Sequence, residues 1–468
     1  MQDLRSRPVW TDLAYLVPLA LFFLLYGLGR GSLASWDEAI YASVAKDVVR
    51  TGQWLRLTIG GEPWFDKPPL TIWATALAYK LFGIHEFSAR LFSALCGVGA
   101  VVVTYLLGLR LFGRWTGLLG ALVLLNSSHY LRFMRFGMTD GPLVLFLTLS
   151  LYWFWRGSER NRYLIFSGVA LGLALLTKGF AAFFIFPVIL LYCLLARDFS
   201  PLGRSSYWVG LMIAVLIALP WNLYEMTAHR GAFIDNVVVK HLFVRTLQPI
   251  EGHDGNWYFY IRTFINKYHP WVLIGIFSAP YFLWKALRRR DEAVAFTAAW
   301  IFAIFAVITL VRTKLPWYIL PLYPAVSISV GYLLSRWIDE RRRALVMALF
   351  VGAMWLHVPL SHLAEADYSA DLKAIAPEVA ARVSPGTKIY LYNFHEEPAA
   401  IFYWGRPIRY ADDPKAFDEA ARASGAGFWA FARERDLAAL AAAMKTHDLR
   451  VVASAREGRL VARKERTP

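Results

Sequence analysis

Two carboxylates stand side by side at Asp37 and Glu38, in the run Ser35-Trp36-Asp37-Glu38-Ala39-Ile40-Tyr41-Ala42, soon after a first apolar stretch. A carboxylate within hydrogen-bond reach of a hydroxyl can take its proton, a service typically contributing about 10²–10⁴-fold to a rate. Ile40, Val44, Val48 and Val49 follow at helical spacing. The segment is therefore expected to be an amphipathic helix at a membrane surface, and the same acids would suit its N-terminus. Capping and catalysis are both open from this stretch alone.

Further along, Glu62-Pro63-Trp64-Phe65-Asp66-Lys67-Pro68-Pro69-Leu70 places a lysine before two prolines. The stiff, extended backbone makes Lys67 a fixed point charge for an anionic group, or else a snorkelling lysine on a rigid loop. Asp140 precedes Gly141-Pro142 where another apolar run begins. An acid at a membrane edge is costly and usually functional, although Thr139-Asp140 also reads as a helix start, with Arg132 and Arg135 as possible partners. A later loop holds His229, His241, His253 and His269 with Glu251 and Asp254, at spacings that match no compact metal signature. His253, Asn256 and Trp257, heading Trp257-Tyr258-Phe259-Tyr260, suit a sugar or acceptor, because imidazole and amide groups match hydroxyls and aromatic faces pack on sugar rings.

The elements that must hold these residues are set by composition. Of 468 residues, 57% are hydrophobic and only 18% charged, with a mean hydropathy of +0.41. An ordinary soluble protein is about 45–50% apolar and about 25% charged, so this is a membrane protein. Apolar stretches fall at 13–29, 89–109, 115–131, 139–155, 163–177, 179–196, 206–222, 271–287, 293–311, 315–335 and 344–361. The first is taken as a transmembrane helix rather than a cleaved signal, since no small-residue cleavage site precedes Trp36. The expected fold is a polytopic α-helical membrane protein of about 11–13 transmembrane helices with a small C-terminal soluble α/β domain.

With the N-terminus inside, one side collects Arg5 and Arg7, Arg110 and Arg114, Arg156 to Arg162, Arg197 and Arg204, Lys285 to Arg290, and Arg336 to Arg343. That side is cytoplasmic by the positive-inside rule. It accounts for the net charge of +16 without invoking nucleic acid. The outer side receives loops at 30–88 and 223–270 and the tail. Leu70 to Gly83 is apolar but short, so it is expected to lie at the interface or re-enter. The division is a membrane catalytic domain at 1–363 and a periplasmic domain at 364–468. In the latter, 388–393 and 427–431 read as strands, 449–453 with 460–463 as a hairpin, and 413–424 and 434–445 as helices. Cys96 and Cys193 lie in apolar runs, which excludes a disulfide scaffold. Trp153, Trp155, Trp208, Trp271 and Trp284 near span ends suit an interfacial belt.

Asp37-Glu38, Asp66-Lys67-Pro68-Pro69-Leu70, Arg90 after His85-Glu86-Phe87-Ser88-Ala89, Met138-Thr139-Asp140, Leu176-Thr177-Lys178-Gly179 and the run from Lys314 to Pro324 form an ordered set on one membrane face. This set resembles the GT-C superfamily of polyprenyl-phosphate-sugar glycosyltransferases over about residues 10–340. It is similar to bacterial lipid A aminoarabinose transferases and, more remotely, to protein O-mannosyltransferases. The resemblance implies an inverting sugar transfer from an isoprenoid phosphate carrier to a lipid A/core-type or other glycolipid acceptor. Asp37 matches the acid of the first outer loop, with Glu38 and Asp140 as further catalytic candidates. Lys67 matches the lysine before the prolines and would bind donor phosphate, followed by Arg245 and Tyr318 by family position and then Lys178, with Lys314 as an interface anchor. Some relatives hold a divalent ion between the acid before that lysine and a loop histidine. Asp66 and His241 occupy these places, but Asp66 is shorter by one methylene than the more usual glutamate, and no cofactor is required.

The expected partners are a polyprenyl-phosphate-linked sugar, a lipid or glycan acceptor and membrane lipids, at the bacterial inner membrane with an active site on the periplasmic side. Gly-rich phosphate loops and nucleotide fingerprints are missing from the sequence, which argues against a nucleotide-sugar donor and an ATP-driven pump. A protein or polysaccharide acceptor is the alternative within the superfamily. From other classes, a lipid or solute transporter would place ionisable residues at mid-span with paired inverted repeats, and a non-catalytic scaffold would leave the long charged loops unexplained.

Overall fold

The computed structural model describes residues 8–244, 247–248, 253–338, 342, 345–346, 348–352 and 367–463; at 238, 240–243 and 426 it describes the backbone only. The chain forms two compact units: one of residues 1–28, 65–74 and 90–365, the other of 29–64, 75–89 and 366–468. Their boundaries differ from the division expected near residue 363, because most of the first long loop groups with the tail.

The first unit is helical. Helices occupy the apolar stretches expected from 13–29 through 315–335, while the stretch at 344–361 falls largely outside the described residues. Among the described residues, five segments have the length and hydropathy to cross a membrane: Glu86–Phe112, Arg162–Ala196, Ser205–Val237, Glu292–Leu310 and Pro316–Trp337. Val9–Leu25 and Arg114–Leu125 are shorter apolar helices. Leu70–Phe82 is a 13-residue helix, about 20 Å long at 1.5 Å per residue and too short for a bilayer core of about 30 Å, as its sequence suggested.

Two of the helices carry exposed apolar stripes. Trp208, Met212, Val215, Leu216, Leu219 and Leu223 recur at helical spacing on the Ser205–Ile234 helix and are exposed. Leu273, Ile276, Phe277, Trp284 and Leu287 do the same on Val272–Arg289. Apolar stripes of this kind are stable only against hydrocarbon or another protein. Against its neighbour, Ser205–Ile234 packs through small residues. A Cβ built on Gly168 would lie 2.0 Å from the carbonyl oxygen of Gly210, so these backbones approach as closely as glycine allows. The helix also runs past residue 222, where the second long loop was expected to begin.

The second unit carries the helix Asp37–Thr51, with eight buried positions that include Ala39, Ala42, Val44 and Val48. A short hairpin follows, β1 (Thr58–Ile59) and β2 (Glu62–Pro63). The tail forms one mixed sheet of β3 (Ile389–Tyr392), β4 (Ile408–Ala411), β5 (Trp429–Arg433), β6 (Leu449–Ser454) and β7 (Gly458–Arg463), in the order β4-β3-β5-β7-β6. β3 lies parallel to β4 and β5, whereas β5, β7 and β6 run antiparallel. Phe417, Phe428, Ala430, Leu440 and Val461 are buried between this sheet and the helices Pro414–Ser424 and Leu437–Thr446. Asp413 caps the first of these by accepting from the Ala416 amide at 2.8 Å. β4 and the helices Ala370–Arg382 and Pro398–Trp404 were not expected from the sequence pattern.

Candidate active site

Within the first unit, Asp66, Lys67, Asp140, Lys178 and Tyr318 line one cavity of about 550 Å³. Four chain segments supply them, and each is locally determined. Pro68 and Pro69 hold the backbone extended behind Lys67. Asp140 is the first residue of the helix Asp140–Arg156, where the dipole favours negative charge, and Lys178 is the last of Arg162–Lys178, where it favours positive charge. Gly179 takes φ +52° and turns the chain at once, beside Pro68. Tyr318 sits in the 3₁₀ turn Pro316–Leu322.

The polar groups meet. Lys178 Nζ lies 2.6 Å from Asp140 Oδ1, with side-chain exposures of 9% and 2%. The same ammonium stands 5.4 Å from the centre of the Tyr318 ring. Lys67 Nζ donates to the Asp66 carbonyl at 3.0 Å. Phe65, Leu143, Leu175, Phe184, Val307 and Ile308 make the remaining wall largely apolar. A pocket of this size with a few convergent polar groups is the usual form of a small-ligand site. Two lysines on a hydrocarbon wall match an amphiphile whose anionic head is attached to an apolar chain, and charge pairing is stronger there than in water.

Known proteins share this arrangement of elements. Residues 66–224 match the family described as dolichyl-phosphate-mannose-protein mannosyltransferase. An uncharacterised protein of Aquifex aeolicus (strain VF5) is 30% identical over 84% of this chain and 88% of its own. ArnT from Cupriavidus metallidurans, crystallised with undecaprenyl phosphate, superposes with a TM-score of 0.80 at 21% identity, covering 97% of this chain and 98% of that one. The chain has the fold of the GT-C membrane glycosyltransferases. The undecaprenyl phosphate-alpha-4-amino-4-deoxy-L-arabinose arabinosyl transferase 1 of Pseudomonas fluorescens (strain Pf0-1) is 27% identical over 71% of this chain. This chain spans 59% of that relative's length.

In this GT-C fold the other expected residues are distributed as follows. Asp37 and Glu38 belong to the second unit. Asp37 is half-buried at the start of its helix, whereas Glu38 is buried and accepts from the Ala34 amide at 2.7 Å. That bond makes Glu38 a brace for the turn before the helix. His253, Asn256 and Trp257 do not line the cavity. The His253 carbonyl accepts from the Lys314 amide at 2.9 Å, Asn256 donates to Tyr258 Oη at 2.7 Å, and Trp257 is exposed. Lys314 donates to the Ile308 carbonyl at 3.0 Å and so ties down the end of Glu292–Leu310. Its burial, aided by Arg312, holds its pKa below the usual lysine range. Arg245 and the His241 side chain lie outside the described residues.

The sequence offered Arg132 and Arg135 to Asp140; the ion pair found is with Lys178. Arg135 donates to the Phe23, Leu24 and Tyr26 carbonyls, and Arg90 to the Leu28 carbonyl. Arg135 satisfies acceptors in the last turn of the first helix, Val9–Leu25, and Arg90 holds the chain just beyond it. Sequence reasoning missed Glu225, which is 1% exposed and lies 3.6 Å from His229 Nε2, and Trp221 and Asn222 on the cavity wall. Their signal was an acid and a histidine spaced i,i+4 beyond an apolar run. Among the described residues no group of three His, Cys, Asp or Glu side chains could hold a metal. The side chain of His241, the other expected ligand beside Asp66, is not among them, and no chemical step is routed through a metal.

Proposed function

We propose that this protein is an inverting glycosyltransferase that moves a sugar from a polyprenyl-phosphate carrier to a lipid A/core-type or other glycolipid acceptor, at the periplasmic face of a bacterial inner membrane. The observation that carries this reading is the convergence of Lys67, Lys178, Asp140 and Tyr318 on one apolar-walled cavity. An acceptor oxygen attacks the anomeric carbon from the side opposite the phosphate, and the bond from that carbon to the phosphate oxygen breaks. Its electron pair stays on the polyprenyl phosphate. The negative charge that grows there is met by Lys67 and Lys178, which is the largest single contribution expected at such a site. Arg245 joins them by family position. Asp140 holds Lys178 in place and the Tyr318 ring backs it.

Asp37 supplies the carboxylate that acts on the acceptor side of the transfer. Where the acceptor is a hydroxyl, Asp37 takes its proton; where it is a phosphate, no proton moves and Asp37 orients the acceptor or offsets positive charge on the sugar. His253, Asn256 and Trp257 are proposed for sugar or acceptor contacts. The outward-facing site is supported by the basic clusters that the positive-inside rule assigns to the other side. The negative charge of the leaving group is met by lysines, so transfer needs no metal. The test is mass spectrometry of lipid A, glycans and periplasmic proteins from cells carrying wild type or Asp37→Ala. A sugar mass lost from lipid A or core oligosaccharide supports the reading, loss from protein or polysaccharide reassigns the acceptor, and identical profiles overturn it.

A further inference from the structure

The segment from Gly31 to Trp36, which leads into Asp37, has no regular secondary structure, yet Ser32, Leu33 and Ser35 are buried. Buried backbone groups outside helices and sheets need partners from elsewhere. Here the C-terminal tail, within the same compact unit, supplies most of them. Asp367 Oδ1 accepts from the Ser32 amide at 2.9 Å and also from its hydroxyl. Ser32 Oγ in turn accepts from the Ser369 amide at 2.8 Å. The Leu33 amide donates to Tyr403 Oη at 2.8 Å, and that hydroxyl donates to Glu86 Oε1 at 2.9 Å. Lys373 Nζ bonds the Gly31 carbonyl at 3.0 Å and Glu86 Oε1 at 2.7 Å. Ser35 Oγ donates to Glu397, whose own amide donates to Tyr410 Oη at 2.9 Å. Glu38 holds the Ala34 amide.

We propose that the tail is a positioning device for the transfer: Asp367, Tyr403 and Glu397 fix the irregular segment that leads into Asp37, and thereby fix its carboxylate. The inference rests on the reading of Asp37 as the carboxylate that acts on the acceptor. A chain without these bonds would regain about 1–2 kcal/mol of backbone freedom per residue. A misplacement of about 1 Å at a reacting group can cost about 10²-fold in rate. Glu397 is the most telling member, because its single side-chain bond lands two residues before Asp37. Burial pushes its carboxyl above the usual range, in keeping with an acid placed to hold a hydroxyl rather than to face water.

The test uses full-length protein in cells and in detergent. Its readout is the rate of forming the glycosylated species that wild type makes and Asp37→Asn does not, normalised to folded protein, together with affinity for undecaprenyl phosphate. Ser35→Ala and Glu397→Ala are each expected to slow product formation about 10-fold, and the double variant no more than either single one, because both remove the same bond. Glu397→Gln, which still accepts from Ser35, is expected to recover most of the rate. Undecaprenyl phosphate affinity should stay at the wild-type value throughout. Full rates in Ser35→Ala and Glu397→Ala beside a dead Asp37→Asn would overturn the proposal. So would losses that track a parallel loss of lipid binding. A fully active Asp37→Asn would instead remove the reading beneath it.

Discussion

Replacing Lys178 by methionine removes one half of an ion pair that is almost entirely shut off from solvent. Asp140 is 2% exposed and its partner nitrogen is 2.6 Å away. At an effective dielectric constant near 20 the attraction across that distance is about 6 kcal/mol, most of it offset by the cost of burying both charges. Breaking such a pair from one side strands the other charge, so Lys178→Met is expected to destabilise the protein by about 3–5 kcal/mol. Adding Asp140→Asn removes the stranded carboxylate and should recover the larger part, leaving a deficit of about 1–2 kcal/mol for an amide with imperfect partners. Denaturant titration in mixed micelles, followed by tryptophan fluorescence, would measure the cycle. Sugar transfer should follow a different pattern: slow in both single variants and still slow in the double, because regained stability does not restore the cation. A double variant whose loss equals the sum of the single losses would refute the coupling.

Gly168→Ala would drive a methyl group to 2.0 Å from the Gly210 carbonyl, and a stability loss of about 1–3 kcal/mol from overpacking is expected; a wild-type melting curve would show that the helices do not meet there. Burial and the neighbouring Arg50 push Lys46 down to about 8. The folded state therefore sheds that proton before the unfolded chain does, so burying the charge costs stability in full below pH 8, and the cost fades as pH rises toward about 10.4. Thermal midpoints of wild type should rise relative to Lys46→Met over that interval, whereas parallel curves would contradict the burial. Exhaustive dialysis against EDTA is expected to leave transfer unchanged; a loss restored by added divalent cation would return Asp66 and His241 as ligands.

Much of this was legible in the sequence because lipid imposes a simple rule: a run of apolar residues long enough to cross must be helical. The spans and the hairpin of β6 and β7 follow from such patterns. Lys67 and Asp140 stood out for a second reason, as a lysine on a stiff backbone and an acid at a span edge, and both line the cavity. What one dimension hides is who meets whom. Nothing local says that Asp140 pairs with Lys178, 38 residues later, rather than with the nearer Arg135. Nor does the pattern say that Glu38 accepts from the Ala34 amide. β4 escaped notice because Ile408–Ala411 is four residues long with a charge inside it, and it is held by its parallel neighbour rather than by propensity. The grip of Asp367, Tyr403 and Glu397 on the irregular segment before Asp37 spans more than 330 residues of chain.

The measurement that bears most directly on the cavity is a titration of purified protein in detergent with undecaprenyl phosphate and, separately, undecaprenol. If Lys67 and Lys178 receive a lipid phosphate, the phosphate should bind at least about 10-fold more tightly than the alcohol, and Lys67→Met should erase most of that advantage while leaving the alcohol's affinity as it was. Equal binding of the two lipids, or a preference for phosphate untouched in Lys67→Met, would contradict it.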